Sequence, residues 1–265
     1  DSGVQNPGTL SGDGALGGDV TISGIHSPGN AVGTQAASGI LTYETGAKIV
    51  WEIGGQQTQA DLISAGETVI ANDVRIDIAA NPPGGTVDYS HAFWNQTRNW
   101  PVITATNLTG VPVLGDVSTD AAGKPAAPFG SFSIIASTTG VNLQWTPSSA
   151  WDRWLYLKFG TDWNNPLIAG AASDPDGDGW TNESEWVTGS EPRNPASRFT
   201  IACTGNAVSF TRVDGRTYQV QTATHPAGPW VHHAYAPQGA GPVVIPGPVN
   251  PGPRRFFRVV VSMVP

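Results

Sequence analysis

Ile49-Val-Trp-Glu-Ile53 is the stretch that decides the fold of the first part of this chain. In an extended segment Ile49, Trp51 and Ile53 share one face, and a Gly-Gly pair follows directly, which is typical of a short β-strand that ends in a tight turn. Similar segments recur between glycine-rich turns, and they are Val20–Ile22, Ile40–Tyr43, Val69–Ile70 and Val74–Ile78. Short strands at roughly even spacing, without a helical period, predict a short parallel β-solenoid or a β-sandwich. We favour the solenoid.

The composition indicates a mainly β protein. The chain has 265 residues, enough for two or three domains, with 33 glycines, 22 prolines and only 13% charged residues. The net charge is −8 and lysine occurs only at Lys48, Lys124 and Lys158. This balance argues against nucleic acid or an anionic membrane surface as partner, because both attract clustered basic residues. No apolar run is long enough to predict a membrane span, and we expect the mature part of an exported precursor.

Three stretches of the first part carry a family resemblance. The chain resembles the autotransporter-associated β-strand repeat of bacterial surface proteins at Gly8–Ile22, His26–Asn30 and Leu41–Ile53. A further segment, His91–Trp100, is similar to one that follows such repeats. The turn that begins Ser-Pro-Gly-Asn departs from the family pattern in its second half. The resemblance covers residues 8–145. It implies a secreted or surface-displayed scaffold, and it implies no catalytic residues.

The acidic stretch Asp174–Glu185 has the spacing of a twelve-residue calcium loop. Such a loop takes side-chain oxygens at positions 1, 3, 5, 9 and 12, a backbone carbonyl at position 7 and a glycine at position 6. The predicted metal ligands are Asp174, Asp176, Asp178, Trp180 through its carbonyl, Asn182 and Glu185, with Gly179 at the sharp turn. Without a cation these carboxylates would repel one another. The sequence therefore predicts bound calcium, and the alternative is an acidic, glycine-rich surface turn without an ion.

Two short helices are predicted around this loop. Trp151–Phe159 contains no Gly or Pro and is followed by Gly160, and Asn182–Thr188 is followed by Gly189. Helix, acidic loop and helix is the layout of an EF-hand or dockerin-type unit. The block resembles calcium modules of the EF-hand, dockerin or thrombospondin type 3 kind in large secreted bacterial proteins. Dockerins carry two such loops, and this chain has one.

The last part of the chain alternates again and predicts a small antiparallel β-sandwich. Its strand segments are Val208–Phe210, Tyr218–Val220, Val243–Ile245 and Phe256–Val261. It resembles the terminal β-module that follows the calcium motif in the same secreted proteins. The predicted domains are residues 1–147 with the repeat region, 148–197 with the helical calcium module, and 198–265 with the sandwich.

Other reactive or aromatic side chains give weaker signals. Cys203 alternates with Phe199 and Ile201, which predicts a buried, inert thiol on a strand face. The five histidines lack zinc spacing and are expected at surfaces and turns. The chain has ten tryptophans, of which Trp51, Trp145, Trp151 and Trp154 are expected in cores and Trp163, Trp180 and Trp230 in exposed turns.

No catalytic motif is visible locally, so we expect that the protein is not an enzyme. The predicted function is that of an extracellular or cell-surface structural and adhesive protein, which self-assembles through strand edges into a fibre while calcium rigidifies a joint between its β-modules. The expected partners are other copies of the chain, neighbouring surface proteins or glycans. One alternative is a carbohydrate-binding module of a secreted polysaccharide-degrading enzyme. Another is a hydrolase, for which the structural sign would be a cleft with two carboxylates about 5–10 Å apart.

Overall fold

The computed structural model describes residues 8–55, 59–80, 82–83, 85–249 and 255–264. The chain divides into two compact units, Asp1–Arg153 (the first unit) and Trp154–Pro265 (the second unit). The strands of the first unit are β1 (Thr9–Gly12), β2 (Gly14–Leu16), β3 (Val20–Ile22), β4 (Ile25–Pro28), β5 (Thr34–Tyr43), β6 (Lys48–Glu52), β7 (Leu62–Ile70), β8 (Arg75–Ala79), β9 (Arg98–Thr109), β10 (Val113–Val117), β11 (Gly130–Ser137) and β12 (Gly140–Pro147), with a 3-10 helix at Ala92–Asn95. Helix α1 (Ala150–Phe159) follows.

The first unit contains two β-sheets. β1, β4, β6, β8 and β10 form a five-stranded sheet with parallel pairing throughout. In the second sheet β2, β3, β5, β7 and β9 pair in parallel, and β12 and β11 extend it with antiparallel pairing. From β4 to β10 the chain changes sheet at each successive strand, so parallel neighbours are two strands apart along the chain.

Equivalent residues of successive strands stack in columns inside the first unit. The strand register places His26 beside Ile49 and Ile49 beside Ile76, and all three side chains are fully buried. Trp51 lies beside Ile78 in the same way, and its ring N–H donates to the backbone oxygen of Asp61 at 2.7 Å. Apolar and β-branched residues at these positions fill a pleated, buried surface, which explains the alternation in the sequence.

His26 is a buried polar residue in these columns. Its Nδ1 lies 2.6 Å from the Tyr43 hydroxyl oxygen, and its Nε2 bonds to Oε1 of Gln35. Because the Gln35 oxygen can only accept, Nε2 carries the proton and Nδ1 accepts from Tyr43. The neutral ring is therefore fully satisfied, and burial lowers the pKa of His26 below its usual value. The prediction that the histidines lie at the surface is wrong here, because this ring finds both partners in the core.

His26 should make the stability of the first unit depend on pH. A lowered pKa in the folded state means that the unfolded chain binds the proton more readily, so stability is lost as the pH falls below about 6.5. The free energy of unfolding of the wild type should therefore drop more steeply between pH 7.5 and 5.5 than that of His26→Gln, by at most about 1.4 kcal/mol per pH unit. Urea unfolding at both pH values measures this. The exposed His91→Gln is the control, and equal slopes for the two variants would contradict the assignment.

An aromatic cluster fills the part of the first unit where the antiparallel strands begin. The Trp145 ring lies 4.9 Å from that of Phe132, 5.0 Å from Trp94 and 5.7 Å from Tyr89, measured between centroids. Its ring N–H donates to the Trp94 backbone oxygen at 2.9 Å. All of these side chains are buried, so the prediction that Trp145 belongs to the core is confirmed. The cluster contributes both buried area and edge-to-face contacts to the unit's stability.

The second unit combines short helical elements with two antiparallel sheets. A 3-10 helix at Gly160–Asp162 and helix α2 (Asn182–Thr188) precede the strands β13 (Ala202–Thr204), β14 (Ala207–Arg212), β15 (Arg216–Ala223), β16 (Val231–Tyr235), β17 (Gly241–Pro246) and β18 (Phe256–Met263). β13, β14 and β17 form one sheet and β16, β15 and β18 the other. The two sheets share one hydrophobic core, made of Val208, Phe210, Tyr218, Val220, Ala236 and Ile245.

The mainly β class predicted from the sequence is confirmed, since the described residues form eighteen strands and only two α-helices. Each segment predicted as a strand or as a short helix overlaps an observed strand or helix. The prediction for Cys203 is wrong: β13 is a short outer strand whose residues are all exposed, and the thiol is free. The separate calcium module, with boundaries at residues 148 and 197, stays a prediction.

Candidate metal centre

The loop that precedes α2 is folded around the Asp174 carboxylate. Its Oδ1 accepts from the backbone N–H groups of Gly177 and Asp178, and its Oδ2 accepts from Gly179 at 2.8 Å. These donors lower the pKa of Asp174, with the Gly179 N–H as the largest cause. Gly179 has a φ of +91°, a conformation that a residue with a Cβ rarely adopts. The glycine at position 6 thus makes the sharp turn that the predicted loop requires.

Helix α2 has defined ends that fix its residues relative to the loop. Thr181 caps its N-terminus, with its hydroxyl oxygen accepting from the Ser184 N–H. Gly189 ends it in the left-handed conformation, and its N–H donates to the Glu185 carbonyl. This pattern of a threonine cap and a terminal glycine is the usual local signal for a short helix.

Three carboxylates converge in the loop. Asp174, Asp176 and Asp178 each place an oxygen within 4.8 Å of the others, which is close enough for all three to bind one metal ion. Asp178 also orders the chain around it, because its Oδ1 accepts from the Trp180 N–H at 2.7 Å. The described residues thus contain an aspartate cluster that could hold a metal ion.

Three oxygen atoms of the predicted ligand set are buried without a hydrogen-bond partner among the described residues. They are Asp176 Oδ2, Asn182 Oδ1 and Glu185 Oε2. Burying a polar atom without a partner is costly, and native proteins generally avoid it. Three such atoms at loop positions 3, 9 and 12 match the donor set of a hard cation, since all are oxygens and two belong to carboxylates.

Asn182 is oriented by its amide nitrogen. Nδ2 donates to the backbone oxygens of Ile168 at 2.8 Å and of Gly170 at 2.9 Å. Both N–H groups of the amide are therefore used, and this fixes which way its unpartnered oxygen points. The segment before the loop thereby holds a predicted ligand in a single orientation.

Glu185 has the least favourable surroundings for a negative charge among the predicted ligands whose pKa is shifted. Its side chain is fully buried, and only Oε1 has a partner, the Ser190 hydroxyl at 3.3 Å. Burial first, and then the negative charges of Asp176, Asp178 and Asp174, raise its pKa to about 7. A divalent cation among these carboxylates would remove the repulsion and favour the ionised form.

Basic side chains connect the loop and helix to the strands that follow within the second unit. Arg198 donates from Nε to Asp178 Oδ2 at 2.9 Å. Arg216, at the start of β15, donates to the backbone oxygens of Trp186 and Val187 near the end of α2 at 2.7 and 3.2 Å. Neither residue was predicted from the sequence, and neither was Ser190, because tertiary packing creates their contacts and no local motif signals them.

Two features separate this site from the predicted layout. α1 ends at Phe159 and the loop begins at Asp174, with a 3-10 helix and turns between them, whereas in an EF-hand the first helix leads directly into the loop. Trp180 is half-buried, and its contact in the loop is made by its N–H group. Its carbonyl as a metal ligand stays a prediction.

Buried carboxylates in the first unit serve backbone groups. Asp61 accepts from the N–H groups of Gly33 and Glu52, each at 2.8 Å, and burial raises its pKa to about 7. Asp120 accepts from the N–H groups of Ala122 and Lys124 at 2.9 and 2.8 Å. Both side chains are buried, so these carboxylates hold turns together and offer little surface to a substrate.

No protein-family model and no curated protein matches this chain. Within the described residues, none of the helices has the length and apolar character needed to span a membrane.

Proposed function

We propose that this chain is an extracellular structural protein whose second unit is stabilised by one calcium ion bound at Asp174, Asp176, Asp178, Asn182 and Glu185, with the Trp180 carbonyl completing the site. The observation that carries the proposal is the trio of buried, unpartnered oxygens on Asp176, Asn182 and Glu185. Their positions are those at which a twelve-residue calcium loop supplies ligands. An acidic surface turn without an ion would leave these atoms in contact with water.

The donor set favours calcium over magnesium. Calcium accepts six to eight oxygen ligands in flexible geometry and takes a bidentate glutamate at position 12, whereas magnesium requires a near-ideal octahedron and keeps several waters. The loop offers several side-chain oxygens, among them two from Glu185. Extracellular calcium sites work at millimolar ion levels, which agrees with the proposed location.

The proposed structural role also draws on the first unit. From β4 to β10 successive strands alternate between two sheets and pair in parallel within each, which supports a short β-solenoid for this part. The shared core of two antiparallel sheets supports a small β-sandwich in the second unit. The helices around the acidic loop belong to the proposed calcium module. The buried carboxylates of Asp61 and Asp120 in the first unit hold turns, and this favours a scaffold over a catalytic role.

Calcium titration by calorimetry on the full chain tests the proposal. We expect one calcium per chain, weaker binding of magnesium, and a loss of affinity of at least about tenfold in Asp176→Asn and Glu185→Gln, because even outer-shell partners of a metal contribute about 10–100-fold. Glu183→Gln is the matched control, since it removes the same charge from an exposed neighbour in the same helix. Absence of binding, or an equal loss in the control, would refute the site.

Self-association is the second element of the proposal. Among the described residues β1 and β10 are the outer strands of the five-stranded parallel sheet, and outer strands carry backbone groups that can pair with another chain. We expect concentration-dependent assemblies in size-exclusion chromatography and filaments in electron microscopy. A chain that remains monomeric at all concentrations would argue against fibre formation and would leave calcium binding unaffected.

A further inference from the structure

The outer face of the sheet β16-β15-β18 carries an ordered set of polar and aromatic side chains. Tyr218 and Val220 of β15 point into the core, so Gln219 and Gln221 point to the opposite face. A β-bulge in β16 places Tyr235 opposite Gln219 and His232 opposite Gln221. His232 and Tyr235 are three residues apart, and side chains alternate along a strand. Without this bulge their rings would therefore lie on opposite faces of the sheet.

Hydrogen bonds join the polar side chains of this face into a row across all three strands. Arg258 donates from Nε to Gln221 Oε1 at 2.6 Å, and Gln221 donates to Gln219 Oε1 at 2.7 Å. The Gln219 amide nitrogen then lies 3.2 Å from His232 Nδ1. The described residues provide no partner for either Nη group of Arg258. The row is thus held in place before any ligand arrives, and it leaves donors free at its basic end.

Aromatic rings lie along this row. The Arg258 guanidinium is 4.7 Å from the centre of the Trp230 ring, and the Tyr235 ring is 4.6 Å from that of His232. Tyr235 is 65% exposed although it lies in a strand. A sheet face that combines rings with fixed amide and guanidinium groups offers both apolar contact and directed hydrogen bonds. Sugar rings, which have apolar faces and hydroxyl edges, need this combination.

The charge of the face indicates which sugars it suits. β15, β16 and β18 contain no aspartate or glutamate, although the chain as a whole has a net charge of −8. Arg258 lies on this face, and its Nη groups, which have no hydrogen-bond partner in the described part of the chain, match the geometry of a carboxylate, which arginine can bind through two parallel hydrogen bonds. The complementary ligand is therefore a glycan that carries carboxylates.

We propose that the face formed by Gln219, Gln221, Trp230, His232, Tyr235 and Arg258 binds an acidic polysaccharide built from uronic acid residues. A sugar ring packs against Tyr235, the uronate carboxylate binds the Arg258 guanidinium, and the hydroxyl groups bond to the amide row. This goes beyond the structural role and does not depend on the calcium site. The binding measurements are made with saturating calcium, so that loss of the calcium site and loss of the glycan face give separate results.

Binding of short uronic acid oligosaccharides to the full chain tests this proposal. The probes are oligomers of glucuronic, galacturonic and mannuronic acid, their methyl esters, and poly-L-glutamate of equal charge, measured by calorimetry. We expect at least one uronide to bind and its methyl ester to bind about tenfold more weakly, because the ester loses a charge-assisted pair. Absence of uronide binding, equal binding of the ester, or equal binding of poly-L-glutamate would overturn the proposal.

Matched variants assign the binding to this face. Arg258→Gln should weaken uronide binding about tenfold and Tyr235→Ala about fivefold, whereas Tyr235→Phe, which keeps the ring, should bind like the wild type. Arg193→Gln and Leu167→Ala change exposed residues of the second unit outside this sheet and should have no effect. Equal losses in these controls, or self-association of the wild type that Tyr235→Ala abolishes, would overturn the proposal. Unchanged circular dichroism spectra and unchanged melting temperatures in the same buffer show that each variant is folded.

Discussion

Removing calcium should lower the melting temperature of the second unit by about 10 °C or more. A ligand present at a hundred times its dissociation constant stabilises the folded state by about 2.7 kcal/mol, and each kcal/mol shifts the melting temperature of a domain of this size by about 4 °C or more. The first unit should melt at the same temperature with calcium and with chelator. Calorimetric scans of the full chain in both conditions measure this, and a chelator-insensitive second unit would contradict the structural role of the ion.

Glu185→Gln should lower the melting temperature of the second unit in calcium and raise it in chelator. In calcium the variant loses a ligand and should melt well below the wild type. In chelator at pH 8, above the raised pKa of Glu185, the wild type keeps an ionised carboxylate buried among three others, so replacing it with a neutral amide should raise the melting temperature. The exposed Glu183→Gln should show no such reversal. A variant less stable than the wild type in both conditions would show that Glu185 serves packing and not metal binding.

Trp145→Ala should destabilise the first unit by about 3–5 kcal/mol, which is the usual cost of removing a large buried aromatic side chain. The variant loses the contacts to Phe132, Trp94 and Tyr89, and the Trp94 backbone oxygen keeps only its longer hydrogen bond, from Arg153 Nη1 at 3.5 Å. Chemical unfolding followed by circular dichroism measures the change, and the calcium-dependent transition of the second unit is the internal control.

Trp145→Phe separates packing from hydrogen bonding. It keeps a ring in the cluster and loses the ring N–H, so we expect a smaller loss than for Trp145→Ala. A loss below about 1 kcal/mol for the alanine variant would be typical of a surface position and would contradict the central place of this ring in the core.

The candidate metal site was largely predictable because it is local in sequence. Asp174, Asp176 and Asp178 need only a tight turn to converge, and Gly179 provides that turn. Asn182 and Glu185 follow on a short helix whose cap and terminal glycine are also local signals. Arg198 and Ser190 were not predictable, since their contacts to Asp178 and Glu185 depend on how the chain returns to the loop.

The fold was predictable where burial imposes a repeated pattern. Ile49, Trp51 and Ile76 follow the two-residue period of strands that stack in columns, so their faces could be read from the sequence. His26 occupies an equivalent position in its own strand, but its burial depends on partners that lie in β5 of the other sheet. The bulge in β16 is likewise a property of strand pairing, and no residue of that strand signals it.

Arg216 links strand β15 to helix α2, and this link affects how the second unit resists a pulling force. Its guanidinium joins the start of β15 to the backbone oxygens of Trp186 and Val187 at the end of α2. β15 in turn pairs with β18 in antiparallel fashion over eight residue pairs. A pulling force on β18 therefore reaches the backbone of α2 through the Arg216 guanidinium as well as through the direct packing of α2 against β18, and both links resist it before the acidic loop is stretched.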